Sequence, residues 1–330
     1  TISLYCDLFR VDPEIYAMDM HPDYMSTRYG LSQSGPHVAV QHHHAHLAAC
    51  LADRQEEGPV IGVIFDGTGY GLDEHIWGGE FLVGDARGFQ RGAHLEYLPL
   101  PGGNEAIRRP YRLALAYLRT LLGDVALPAT VTEIPPERRH TLRRMVGRSV
   151  NTVPTSSAGR LFDAVSALLG VRQETSYEAQ AAVELEMLAD AQGRAHKPYP
   201  YGTSPIEEME HWGEVSTPLS HGRRLELAPL FEAILEDMAA GVSVREIAWR
   251  FHVTLAKMIL GTCRHLRDLT GLSTVALSGG CFQNRLLLKL VIPRLEKVNF
   301  RVLTHRQVPC NDGGVALGQA VIAHYHTDGG

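Results

Sequence analysis

The chain has 330 residues, 45% of them hydrophobic, enough to bury a substantial core and to form two lobes. A formal charge of −6 gives no general attraction for nucleic acid, and no apolar run reaches the length of a membrane helix, so the expected partners are small molecules or proteins. The five cysteines are scattered, with no Cys-x-x-Cys spacing, and Thr1 to Asp7 has no signal-peptide pattern, so the expected setting is reducing and cytoplasmic.

Residues 1–11 read as the end of a helix already under way, so the chain is expected to begin inside a domain. Ile15 to Met20 is a short buried strand stopped by His21-Pro22-Asp23, and Tyr24 to Tyr29 a short helix. Ser34-Gly35-Pro36 and the β-branched Val38 and Val40 then read as a turn and a strand that deliver four histidines, His42, His43, His44 and His46, to the start of a small-residue helix.

From Pro59 the pattern becomes a strand over Val60 to Phe65, a tight glycine turn over Asp66 to Gly71, a returning strand over Ile76 to Val83 and a third over Arg91 to Leu98. This predicts an antiparallel meander at one edge of a mixed sheet. Helical patterns follow over Glu105 to Leu122, Arg160 to Leu169 and Tyr177 to Ala191, with an irregular stretch from Leu127 to Thr155 that carries a basic patch, Arg138-Arg139-His140 to Arg143-Arg144. Residues 192–224 read as a loop with a short strand near Val215. Ser243-Val244-Arg245-Glu246 is a capping box opening a long helix to Leu269. After Gly271 come a strand at Thr274 to Leu277, a turn at Ser278-Gly279-Gly280, a helix from Gln283 to Leu290, a strand at Phe300 to Leu303, and a loop at Pro309 to Gly314 before a closing helix from Val315 to Tyr325. That alternation predicts a parallel sheet with helical cover.

His42 and His46 are four apart, so on a helix both imidazoles can reach one divalent ion, while His43 and His44 point elsewhere. Asp312 in Asn311-Asp312-Gly313-Gly314 either caps the last helix or supplies the missing oxygen ligand, and two imidazoles with one carboxylate suit iron or zinc alike. Asp66, Gly67, Thr68 and Gly69 offer close backbone approach to an anion plus a hydroxyl donor, and serve equally as a plain hairpin turn. Ser278-Gly279-Gly280 opens a helix at a strand end, where phosphate or a nucleoside is favoured, and Asn284 would bond a ribose, a base or its own helix start. Asp163 is either the polar edge of its helix or a ligand contact, and no internal Ser-His-Asp or Cys-His nucleophile stands out.

Taken together, His-Pro-Asp-Tyr-x-Ser-Thr at 21–27, Gln41 to His46, Phe65 to Gly71, Trp77-Gly78-Gly79-Glu80-Phe81, Leu98 to Gly103, Ser278 to Asn284 and Asn311 to Gly314 resemble the carboxy-terminal domain of HypF, the hydrogenase maturation carbamoyltransferase, in order over nearly the whole chain. The resemblance implies an α/β, two-lobed actin-like fold of the Kae1 type, as in sugar kinases and Hsp70, with nucleotide held between the lobes. It divides the chain into a partial first lobe at 1–58 carrying the histidines, a second lobe at 59–310, and a metal-ligand loop and terminal helix at 311–330. In HypF proteins carbamoyl adenylate is made in a separate YrdC-like domain, and the domain resembled here passes the carbamoyl group to the carboxy-terminal cysteine of HypE. The resulting thiocarboxamide is dehydrated to the cyanide ligand of nickel–iron hydrogenase.

Residue by residue, the resemblance implies a metal on His42, His46 and Asp312, which also serve as the catalytic centre. It implies nucleoside contacts at Ser278, Gly279, Gly280 and Asn284, a phosphate-side hairpin at Asp66 to Gly69, and a ribose contact at Asp163 within Gly159-Arg160-Leu161-Phe162-Asp163. The family's upstream acylphosphatase-like, zinc-finger and YrdC-like domains are not in this sequence, nor are the first strands of the first lobe with their Gly-Gly-Glu-Leu-Lys hairpin, so one side of the cleft is expected to be open. The nearest rival is an O-carbamoyltransferase acting on a small hydroxylated substrate. A tRNA-modifying enzyme is disfavoured by the charge and by Gln41-His42-His43-His44-Ala45-His46, where such enzymes carry Asn-His-x-Glu-Gly/Ala-His.

Overall fold

A computed structural model describes residues 2–189 and 197–327. Helix α1 (Ile2–Phe9) precedes strand β1 (Tyr16–Asp19), helix α2 (Met25–Leu31) and strand β2 (His37–Val40). The two strands pair in parallel with Asp19 opposite Val40, joined by α2 as parallel pairing requires. Helix α3 (His42–Arg54) starts two residues beyond that pair, where extended Gln41 caps it by accepting the His44 N–H, and ends at left-handed Gln55.

Strands β3 (Val60–Tyr70), β4 (Ile76–Gly84) and β5 (Gly88–Leu95) form the expected antiparallel meander. It lies in the middle of the sheet rather than at an edge. After β6 (Leu98–Pro101) come helices α4 (Asn104–Arg108), α5 (Tyr111–Leu122), α6 (Ala129–Thr132) and α7 (Pro136–Gly147), strand β7 (Thr152–Thr155), and helices α8 (Ala158–Leu168) and α9 (Gln180–Leu188). Strands β8 (Gly202–Ile206), β9 (His211–Gly213) and β10 (Gly222–Glu226) lead to helices α10 (Ala228–Ala239) and α11 (Val244–Thr270). The chain closes with β11 (Thr274–Ser278), α12 (Arg285–Glu296), β12 (Arg301–Thr304) and α13 (Val315–Thr327). The sheet runs β12-β11-β3-β4-β5-β10-β8, with β6, β7 and β9 pairing off this path, and β11 parallel to both β3 and β12.

Several expectations need correction. The glycine stretch from Asp66 belongs to β3, whose register against β4 shifts between Phe65 and Gly69, so the reversal falls after Tyr70. The single helix over 105–122 is two, parted before Tyr111 by Pro110, which lacks an N–H to continue the first. The third meander strand ends at Leu95 and Leu98 begins another. Within 127–155 lie α6, α7 and β7, and α7 starts with Pro136 in its first turn, where proline is favourable. The loop over 192–224 carries β8, β9 and β10, with 192–196 outside the described residues, as are Asp190 and Ala191 of the helix expected to reach 191. Helix α10 was not expected, and a 3-10 turn over Gly280–Gln283 delays the next helix to Arg285.

The unbroken apolar run of β3 follows from burial on both faces. Ile61, Val63 and Phe65 join a large cluster with α5, α8, α11 and α12, while Val60 and Ile64 meet Leu47, Cys50 and Leu51 of α3 on the other face. Helix α13 packs against α3, and Gly318 is essential to their closeness, since a Cβ there would sit 1.9 Å from the Ala45 carbonyl oxygen. This crossing carries the loop at 311–314 to the start of α3.

Candidate functional site

His42 and His46 occupy one face of α3, their rings 5.0 Å apart and their side chains only 3% and 1% exposed. The neighbouring histidines turn away, as the helical period requires. His44 Nε2 lies 2.6 Å from the Asp85 carbonyl oxygen, and His43 Nδ1 lies 3.2 Å from Gln41 Nε2. Burial pushes both down, His43 to about 3 and His44 to about 4, so each is neutral at pH 7.

Asp312 meets the pair. Its Oδ1 is 3.7 Å from His42 Nε2 and 3.5 Å from His46 Nε2, and its side chain is 73% exposed. It does not cap the turn at its own position, because Asn311 accepts the Gly313 N–H and the Asp312 carboxylate faces the two imidazoles instead.

A fourth group joins these three. Asp66 Oδ2 lies 3.4 Å from Nε2 of both His42 and His46, and the four ligand atoms fall within 4.8 Å of one another. Sequence reasoning put Asp66 on the phosphate side of a turn. The available signal was its place directly after the apolar run Val60 to Phe65, the part of β3 that packs against the histidine helix. Gly69 makes room here, since a Cβ would lie 2.4 Å from the His43 ring and 2.7 Å from the His42 ring.

The electrostatics are those of coupled opposite charges. Burial penalises the His42 imidazolium, yet the hydrogen bond to Asp19 and the adjacent carboxylates of Asp312 and Asp66 outweigh it and hold the pKa well above the ordinary value. His46 is raised in the same way by Asp312 and Asp66 despite its burial. Burial opposes the charge on Asp66, but the two histidines hold it well below the carboxylate range, and they depress Asp312 likewise.

A divalent cation fits this arrangement. The Nε2 atoms of His42 and His46 are buried without a hydrogen-bond partner, and a tetrahedral ion with bonds of ~2.0–2.2 Å needs donors roughly 3.3–3.6 Å apart. Three of the four carboxylate–imidazole separations, at 3.4 to 3.5 Å, fall in that range, and the His42–Asp312 separation of 3.7 Å lies just beyond it. Nitrogen and oxygen donors of this kind suit iron or zinc.

Asp66 and Asp312 also line a cleft of about 730 Å³. Gly67, Thr68, Asp163, Gly280 and Asn284 line it too, so six of the nine residues expected at the nucleotide face the cavity. The other three support it instead. Gly69 packs under the histidine rings, and Ser278 is buried with its Oγ 2.8 Å from His305 Nε2. Gly279 holds φ +97°, where a side chain would meet the Phe65 carbonyl oxygen at 2.3 Å.

Cleft residues are held from behind. Ser157 caps α8 by accepting the Arg160 N–H, while its Oγ lies 2.8 and 2.6 Å from the carbonyl oxygens of Asp66 and Gly67. Asp163 pairs with Arg160 Nε at 2.8 Å, although burial raises its pKa. Asn284 caps α12 through Leu287 N–H, and its amide nitrogen contacts His252 Nε2 at 3.0 Å. One amide proton is left for a ligand.

Two family models match the chain. Residues 1–53 match the "HypF Kae1-like domain", and residues 62–319 match "Carbamoyltransferase, Kae1-like Domain, second subdomain". The chain belongs to the HypF family of Kae1-like domains. It is 38% identical over 328 residues to the carbamoyltransferase HypF of Rhodobacter capsulatus, covering 97% of this chain and 40% of that protein. It is 39% identical to a carbamoyltransferase HypF homolog of Cupriavidus necator, covering 93% of this chain and 77% of the relative. Among solved structures, a full-length HypF in a phosphate- and nucleotide-bound form superposes with a TM-score of 0.87 at 40% identity, over 98% of this chain and 48% of that one. The HypF of T. kodakarensis superposes at 0.80 with 28% identity, over 99% and 42%. The Kae1-like α/β fold is thereby shown, and the chain spans about two fifths of the Rhodobacter relative.

Proposed function

We propose that this chain transfers the carbamoyl group of carbamoyl adenylate, bound in the cleft, to the carboxy-terminal cysteine of a HypE-type protein, a step toward the cyanide ligands of nickel–iron hydrogenase. The observation that carries this reading is that the cluster His42, His46, Asp66 and Asp312 opens, through its two carboxylates, onto the cleft. The relatives' names as carbamoyltransferases and the nucleotide in a solved family structure support it.

The chemistry asks little of an internal nucleophile. Carbamoyl adenylate carries its own leaving group and the acceptor supplies the thiolate, so the domain has to position the acyl centre and stabilise charge on the carbonyl oxygen. A divalent iron or zinc ion held by His42, His46, Asp66 and Asp312 would supply Lewis acidity there. The chain's own groups do the rest. The amide of Asn284 and the carboxylate of Asp163 hold the nucleoside end, and the backbone of Gly67 meets the phosphate. Cys281 lines the same cleft but is no competing acceptor, because burial and neighbouring Asp66 push its pKa well up and keep it a thiol.

The test is incubation of the chain with synthetic carbamoyl adenylate and a HypE-type acceptor, followed by intact mass analysis. A carbamoyl adduct on the acceptor's terminal cysteine is expected. An adduct appearing on a sugar hydroxyl instead, with the cysteine unmodified, would overturn the reading in favour of O-carbamoyl transfer.

A further inference from the structure

The run Met18 to Asp23, at the end of β1, has no part in the reaction as described so far. Within it Asp19 is only 4% exposed, and its Oδ2 lies 2.7 Å from His42 Nδ1. Its other oxygen accepts the His21 N–H at 2.8 Å, and its carbonyl accepts the Thr27 hydroxyl at 2.9 Å. One carboxylate oxygen is thus held by the His21 N–H while the other is aimed at the Nδ1 edge of the His42 ring.

We propose that Asp19 is a positioning residue for the metal centre: by accepting the His42 Nδ1–H it fixes the ring orientation and tautomer in which the Nε2 lone pair faces Asp66 and Asp312. A carboxylate can only accept, so the nitrogen facing it must carry the proton, and the opposite nitrogen is left as the ligand. Asp19 is not itself a ligand, because it lies on the Nδ1 edge and the four converging atoms do not include it. The pairing of Asp19 with Val40, two residues before His42, explains the reach: the parallel register of β1 and β2 sets this side chain beside the start of α3. Outer carboxylates of this kind typically contribute ~10–100-fold to metal affinity.

This inference rests on the proposed metal site, and the experiment separates the two. Cobalt(II) is titrated into the full chain, with affinity and visible d–d bands read together, for the wild type and for D19N, T27V and H46A. D19N is expected to weaken cobalt ~10–100-fold and alter the bands, while T27V, which removes only the hydroxyl contact to the Asp19 backbone, leaves both unchanged. Loss of binding in H46A with wild-type affinity and bands in D19N would overturn the role of Asp19 alone. Wild-type affinity in H46A would overturn the metal site and this inference with it. In the zinc-loaded wild type, an exchange-protected imidazole Nδ1–H resonance from His42 is expected by nitrogen-15 NMR, a readout independent of whether D19N folds. Absence of that protected resonance would also overturn the proposal.

Discussion

Asp66 divides its carboxylate between two tasks: Oδ1 accepts the Gly280 N–H at 2.8 Å, and Oδ2 faces the two imidazoles at 3.4 Å. One side chain therefore ties the lining of the cleft to His42 and His46. D66N is expected to weaken both metal and adenosine nucleotide binding, each by at least ~10-fold, because a charged hydrogen bond contributes ~1.5–3 kcal/mol. D312N, on an exposed side chain, is expected to weaken chiefly the metal. Equilibrium dialysis for the metal and calorimetry for the nucleotide check the contrast.

Gly318 sets the approach of α13 to α3. A methyl group there would collide with the Ala45 carbonyl at 1.9 Å, so G318A must push the helices apart. The expected cost is ~1–3 kcal/mol of stability together with weaker metal binding, since the same displacement moves Asp312 from His42 and His46. Thermal unfolding and metal titration of G318A test this.

Removing the Ser157 hydroxyl takes away the α8 cap and the contact to the Asp66 and Gly67 carbonyls. S157A should lose ~1–2 kcal/mol in chemical denaturation and bind adenosine nucleotide more weakly, with metal stoichiometry unchanged.

Acid should destabilise the chain before its carboxylates titrate. Burial lowers His44, His94 and His252 to about 4 each. In the unfolded chain these histidines take up protons near ~6.5, whereas in the fold they resist until about 4, so the unfolded state binds more protons throughout that window. Stability therefore falls as pH drops from ~6.5 toward 4. His42 and His46, raised instead, keep their contribution in full below ~6.5 and lose it only at higher pH. Urea midpoints at pH 7, 6 and 5 should decline in that order.

Local periodicity made much of this legible. The i,i+4 spacing placed His42 and His46 together, and alternation around β11, β12 and α13 located the loop bearing Asp312. Asp66 was read as a turn residue because its glycines look like a turn, while in the fold they serve an irregular strand and the approach of the His42 and His43 rings. Asp19 escaped notice as a partner of His42 because the contact depends on the register of β1 and β2, which local pattern does not carry. Strands β8 to β10 are short and mostly half-exposed or exposed, and their sequences lack the apolar–polar alternation that marks a strand, so they become strands only by pairing with β5 and with one another.

His42, His46, Asp66 and Asp312 are proposed to hold one cation beside the cleft. Metal stoichiometry after loading with iron(II) or zinc, compared between the wild type and an H42A/H46A double variant, tests it most directly. One equivalent per chain in the wild type and none in the folded variant is the result expected; an equal content in both would contradict it.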